Sequence, residues 1–255
     1  MDKVTLLVSS FDGYSMCWPA FCHGLTKYWP DCPFPTLFTT NFKQAPCGET
    51  LLLGEDKGWA TNLVFVLNQI KTPYIIYMQE DYWMDTPVNQ KNIDDYVRLM
   101  DMDKADYIRL YPSAVPENIY PDDPRLRVIP EDAEYRTSLQ AALWRKSVLI
   151  DLLDLTESPW RFEQKGGARS AKYKDRFLCV ADANNGIGYV CTAILAGAWS
   201  KKAYTYAERE QITVDFTLLK PLPRSFIIRR NTRRFARKIK RRLKERLQAI
   251  ISTDK

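Results

Sequence analysis

Two carboxylates stand side by side at Glu80-Asp81, directly after the apolar run Tyr74-Ile75-Ile76-Tyr77-Met78 and a single amide, Gln79. Acids at the end of a buried strand can bind a divalent cation and, through it, a diphosphate, because hard cations take oxygen ligands and offset phosphate charge. The same pair also occurs as a helix cap or as solvated groups, and the residues alone leave both readings open. A second strand end offers hydroxyls and another acid, where residues 3–10 (KVTLLVSS) run into Ser9-Ser10-Phe11-Asp12. A third acidic segment lies at Glu157-Ser158-Pro159-Trp160-Arg161-Phe162-Glu163. Other chemistries find less support. His23 is the only histidine, so a Ser-His-Asp triad would have to be built on it, and neither GxSxG nor GxxxxGK[ST] is present. Gly166-Gly167 reads as a turn.

These groups need a scaffold that brings strand ends together. Residues 3–10 are β-branched and apolar without helical period, which predicts a buried strand. Ser15 and Pro19 open a helix to about Tyr28, since proline is tolerated in a first turn. Pro33 and Pro35 precede a short strand, Thr36 to Thr40. Trp59, Leu63, Val66, Leu67 and Ile70 recur at helical spacing, so residues 57–70 form an amphipathic helix, and residues 74–78 form the next strand. A polar helix follows over 88–100, then strands at 106–111 and 137–144, a short helix over 146–153 and a loop over 158–167. Residues 112–134 carry five prolines and read as a long loop with one short strand at 125–129, either a binding element or a solvated excursion. Alternating strands and helices predict an α/β fold, a single domain with a mostly parallel central sheet flanked by helices.

The 255 residues and 45% apolar content suffice for one such domain. The net charge of +6 is unevenly placed. From residue 223 onward there are 13 Lys/Arg and 2 Asp/Glu, against 24 and 29 before it, so an acidic body (1–222) carries a basic tail (223–255). In the tail Phe235, Ile239, Leu243, Leu247 and Ile250 form one apolar stripe flanked by Arg and Lys, which predicts a basic amphipathic helix. Over residues 224–251 it suits an anionic membrane surface; a partner-protein helix and nucleic acid are the competing readings, nucleic acid being the least favoured. Six cysteines without a CxxC pair read as unpaired thiols of a reducing compartment. With no secretory signal and no membrane-length apolar run, the expectation is a cytoplasmic protein, peripheral at the inner face of a membrane.

The strand closing in Ser-Ser-x-Asp, the helix carrying Asn62 and the segment YIIYMQEDYW together resemble the nucleotide-binding half of GT-A glycosyltransferases. The resemblance covers roughly residues 3–200 and implies a GT-A-like domain. It implies a nucleotide-sugar donor (UDP-, GDP- or dTDP-sugar) contacted by Ser9, Ser10, Asp12, Asn62, Gln79 and Glu80. It further implies Asp81 as ligand of Mn²⁺ or Mg²⁺, where the family motif is Asp-x-Asp and this chain has Gln79-Glu80-Asp81. The segment LQAALWRKSVLIDLL followed by ESPWRFE is similar to inverting family 2 enzymes, which implies Glu163 as the base that deprotonates a hydroxyl acceptor. Trp160 and Phe162 would either stack on a sugar ring or pack against the core. The acceptor implied is a lipid-linked or surface glycan of lipopolysaccharide or capsule type. A nucleic-acid-binding α/β module and a metal-dependent nucleotidyltransferase are the alternatives.

Overall fold

Strands buried on both faces form where apolar residues alternate between two cores, and this chain shows that pattern in β1 (Val4–Ser9) and β4 (Tyr74–Gln79). In the computed structural model the described residues are 3–223 and 225–226. The basic helix expected over 224–251 therefore lies outside them apart from Ser225 and Phe226. The remaining elements are α1 (Trp18–Tyr28), β2 (Thr36–Thr40), β3 (Glu49–Leu52), α2 (Trp59–Gln69), β5 (Trp83–Met84), α3 (Gln90–Asp101), β6 (Tyr107–Arg109), β7 (Leu126–Val128), β8 (Ala142–Arg145), α4 (Lys146–Leu152), α5 (Pro159–Ser170), β9 (Phe177–Val180), β10 (Tyr189–Val190), β11 (Ile194–Leu195), β12 (Ala198–Trp199) and α6 (Lys201–Glu210).

One eight-stranded sheet runs in the order β3-β2-β1-β4-β8-β6-β9-β7. The strands β3, β2, β1 and β4 are mutually parallel, β8 opposes both β4 and β6, and β7 opposes β9. This is the mostly parallel α/β sheet expected. Val4, Leu6 and Val8 face a core shared with α1, α3 and α6, while Leu7, Ile75 and Tyr77 face a second core with α2, α4 and α5. Side chains alternate across a strand, so six residues of β4 serve both layers at once.

Three expectations need correction. Residues 158–167 form a helix, not a loop: the Ser158 hydroxyl caps it by accepting from the Arg161 N–H, and Pro159 fills the first position. Gly166 and Gly167 belong to that helix, and a Cβ on Gly166 would meet the Thr137 hydroxyl at 2.5 Å, so close packing explains the glycine there. The strand expected at 137–144 begins only at Ala142; residues 137–141 are irregular and carry polar contacts to the site. Finally, Cys22 and Cys47 are joined by a disulfide that ties α1 to the segment before β3, which withdraws the support that unpaired thiols lent to a reducing compartment. Among the described residues no helix is long and apolar enough to cross a membrane.

His23 belongs to a charged knot between α1 and α6. Glu210 accepts from Lys27 (2.7 Å), from the Tyr28 hydroxyl (2.7 Å) and from Arg209 Nε (2.8 Å), with His23 Nε2 at 3.1 Å. Burial alone would raise the Glu210 carboxyl, but the Lys27, Tyr28, His23 and Arg209 donors outweigh it and bring its pKa down from 4.5 to about 2. A depressed carboxyl contributes stability that is present above its unfolded value and is lost as pH falls through its folded one. Replacing Glu210 by Gln should therefore lower stability at pH 7 by about 1–2 kcal/mol. In thermal melts the gap to wild type should close as pH falls from about 4.5 towards 2; equal melting temperatures at pH 7 would show that the knot contributes nothing.

Candidate active site

The order of the sheet reverses direction at β1, whose chain proceeds to β2 on one side while β4 is its neighbour on the other. At such a switch point the loops diverge beyond the carboxyl ends of the strands and leave a crevice. Here the crevice is a cavity of about 360 Å³. Ser9 and Ser10 reach it from β1, Thr39 and Asn41 from β2, and Gln79, Glu80 and Asp81 from β4. The start of α2 adds Trp59 and Asn62, and the tip between β11 and β12 adds Ala196 and Gly197.

Glu80 and Asp81 are only 6% and 8% exposed. Burial, and then repulsion from Asp81, push the Glu80 carboxyl well above its ordinary value. Burial lifts Asp81 to about 7, against donation from the Ile194 N–H. That N–H lies 3.3 Å from Asp81 Oδ2, and the Asp81 carbonyl accepts from the Ala193 N–H at 3.0 Å, so the entry to β11 holds Asp81 in place. The Ser10 hydroxyl favours the ionised form of Glu80 and is itself oriented by the Trp18 indole N–H at 2.8 Å. Among the described residues neither acid has a Lys or Arg partner, and the cavity lining contains none.

Donor chemistry decides whether a divalent cation fits. The pair is acidic, desolvated and unneutralised, which a cation would relieve. No group of three His, Cys, Asp or Glu side chains that could hold a metal is present among the described residues. A cation would thus take one or both of Glu80 and Asp81 and complete its shell with phosphate oxygens and water, which suits Mg²⁺ or Mn²⁺.

Of the residues singled out in the sequence, Ser9, Ser10, Asn62, Gln79, Glu80 and Asp81 come together on this cavity. Asp12 does not line it. Its carboxylate accepts from the N–H groups of Asn41 (3.0 Å), Phe42 (3.0 Å) and Lys43 (3.3 Å), fixing the turn that follows β2. Glu163 lies off the lining as well. Its Oε1 accepts from the Ser138 hydroxyl (2.9 Å) and the Leu139 N–H (2.7 Å). Pro159, one turn earlier on the same helix face, does line the cavity. The two acids Asp81 and Glu163 both act on Tyr82, raising its phenol after burial has done so, and the Tyr82 hydroxyl donates to the Leu139 carbonyl at 3.1 Å. Tyr82 and Glu163 both bond to Leu139, through its carbonyl and its N–H respectively. Phe162 is fully buried against Trp59 and Trp144, a core residue, while Trp160 is 65% exposed.

Asp56 is a lining acid that sequence reasoning passed over. It accepts from the Gly58 N–H and from Asn62 Nδ2, each at 2.8 Å, and so orients the Asn62 amide in the cavity. The signal available was an acid two residues before a glycine at a helix start; Gly58 takes φ +92°, a conformation that side chains resist. Trp59 is held by donation to the Tyr77 hydroxyl at 3.2 Å.

Among solved structures, the chain is similar to S. aureus TarS residues 1–349 in complex with UDP, at TM-score 0.50 and 11% identity, over 84% of this chain and 66% of that one. The same TarS segment without that ligand matches at TM-score 0.48 and 10% identity, over 72% and 59%. A cytidylyltransferase from Leptospira borgpetersenii matches at TM-score 0.42 and 10% identity, over 69% and 73%. The chain thus spans less than two thirds of the length of the TarS chains it matches. No protein-family model and no curated protein matches the sequence. The likeness shows the fold: this chain has a GT-A-like fold, a single α/β domain.

Two buried acids with no Lys or Arg partner among the described residues oppose folding of the ligand-free protein. Asp81→Asn, whose amide oxygen can still accept from Ile194, should raise the stability of the ligand-free chain by about 1 kcal/mol. Denaturant unfolding in the presence of a chelator checks this; a loss of stability would mean that the carboxylate is already neutralised by its surroundings.

Proposed function

We propose that this chain is a glycosyltransferase that moves a sugar from a nucleoside-diphosphate sugar to a hydroxyl of a glycan or lipid-linked acceptor. The observation that carries the reading is the unneutralised pair Glu80-Asp81 on a cavity at the switch point of a GT-A-like sheet. The UDP complex of the TarS segment, similar in fold, supports a nucleoside diphosphate as the ligand class. The lining bears three carboxylates, Asp56, Glu80 and Asp81, and no basic residue among those described. A diphosphate would find no counter-charge in that lining unless a cation accompanies it. When bound at Asp81, Mg²⁺ or Mn²⁺ would supply positive charge to the departing diphosphate.

The chain's own residues have separable roles in this reading. Ser9, Ser10, Asn62 and Gln79 offer hydroxyl and amide groups to the nucleotide, with Asp56 and Trp18 fixing the Asn62 and Ser10 partners. Glu163 serves as base: Oε1 is anchored by Ser138 and Leu139, which leaves Oε2 to take the acceptor proton. The acceptor oxygen bonds to the anomeric carbon as the bond from that carbon to the diphosphate oxygen breaks. One displacement of this kind inverts the anomeric centre. The basic segment 224–251 would hold the enzyme at an anionic membrane surface carrying such an acceptor.

Calorimetry with UDP should show binding in Mn²⁺ that weakens at least about tenfold in EDTA, a difference of about 1.4 kcal/mol that Asp81→Ala removes. Binding that is equally tight with and without EDTA would refute the cation-linked site. With a turned-over donor, Glu163→Gln should cut kcat by about 10²–10⁴ while UDP affinity stays unchanged. The product should be free nucleoside diphosphate; pyrophosphate would indicate nucleotidyl transfer, and full turnover by Glu163→Gln would remove Glu163 as base.

A further inference from the structure

A second cavity, of about 280 Å³, is lined by α6, by Val190 of β10 and by Asp85, which follows β5. Its floor is apolar, made by Val190 and the ring of Tyr206, whose hydroxyl is buried and donates to the Met84 carbonyl at 2.9 Å. Its rim is cationic. Lys201 and Lys202 project from the first turn of α6, and Arg209 from its last turn, facing a single acid, Asp85. Arg209 commits Nε to Glu210 and stacks on the Tyr206 ring at 5.2 Å, which holds its guanidinium over the floor. Among the described residues neither lysine pairs with a carboxylate.

The lysines are also badly placed for the helix that carries them. The first turn of a helix has the positive end of the backbone dipole, where cations destabilise and anions stabilise. Two cations in that turn cost the ligand-free fold stability, and an anion seated between them reverses the sign. Both walls lie a few residues along the chain from the lining of the first cavity. Asp85 follows Asp81 by four residues through β5, and Lys201 follows Gly197 by four through β12. Each stretch covers at most about 14 Å of chain, a distance that a short oligosaccharide bridges.

We infer that this cleft binds the acceptor, and that the acceptor is an acidic glycan whose phosphate or carboxylate group pairs with Lys201 and Lys202. Tyr206 and Val190 receive an apolar sugar face, and Asp85 accepts from a sugar hydroxyl. The inference rests on the glycosyltransferase reading, because the reacting hydroxyl of the same acceptor must reach the donor cavity.

The test is amide NMR of the full chain titrated separately with glucose 6-phosphate, glucuronate and glucose. Either or both anionic sugars should shift resonances of residues 83–86, 189–190 and 200–209, while glucose at equal concentration does not. If one anion alone binds, the inference holds and the acceptor charge is of that kind. The double variant Lys201→Ala/Lys202→Ala should bind the anionic sugars at least about tenfold more weakly and should melt at a higher temperature without ligand. Equal shifts from glucose, no shifts from any probe, or unchanged affinity in the double variant would overturn it. A parallel titration with UDP and Mn²⁺ reads Ser10, Asn62 and Gln79, so failure of the donor site is seen separately from failure of the acceptor cleft.

Discussion

The candidate site is arranged around an unfavourable interaction: two neighbouring acids buried at the end of β4 with no Lys or Arg beside them among the described residues. A fold does not keep such a pair for stability, since desolvation and mutual repulsion both oppose it. The surrounding contacts immobilise the acids without neutralising them. The entry to β11 fixes Asp81 through two N–H groups, and Trp18 orients the hydroxyl that faces Glu80. What remains unsatisfied among the described residues is positive charge, which a divalent cation would supply.

The sheet explains why the pair can be held there. Strand β4 is the neighbour of β1 on one edge and of the reversed strand β8 on the other, and its alternating residues anchor two cores. The turn after such a strand has little freedom. Its register carries Glu80 and Asp81 to the crevice, while Tyr82 packs between Tyr189 and the irregular stretch 137–141. That stretch breaks out of strand geometry so that Ser138 and Leu139 can meet Glu163. Tyr82 and Glu163 of α5 thus meet the same short stretch, while Pro159 of that helix reaches the cavity.

Much of this was legible in the sequence, for reasons that differ by element. The strands Thr36–Thr40 and Tyr74–Gln79 and the helix α2 announce themselves by periodicity and by bounding prolines. The helix α5 was hidden because Gly166 and Gly167 read as a turn, whereas tertiary packing against Thr137 requires the missing Cβ. Asp12 shares a strand end with Ser9 and Ser10, yet a sequence does not reveal that three backbone N–H groups of the next loop will claim its carboxylate. Asp56 was passed over for the converse reason: in the string Gly54-Glu55-Asp56-Lys57-Gly58 it looks like a solvated loop acid, and only the fold turns it towards Asn62. Disulfide pairing of Cys22 with Cys47 likewise depends on a spatial approach that spacing does not encode.

Location of the cation decides the matter most directly. Crystals of the full chain grown with UDP and MnCl₂ should show, in the anomalous difference map at the manganese edge, a peak beside Asp81 and the bound nucleotide within the cavity lined by Ser10 and Asn62. A nucleotide bound elsewhere, or bound in that cavity with no metal between it and Asp81, would contradict the role assigned to the buried acids.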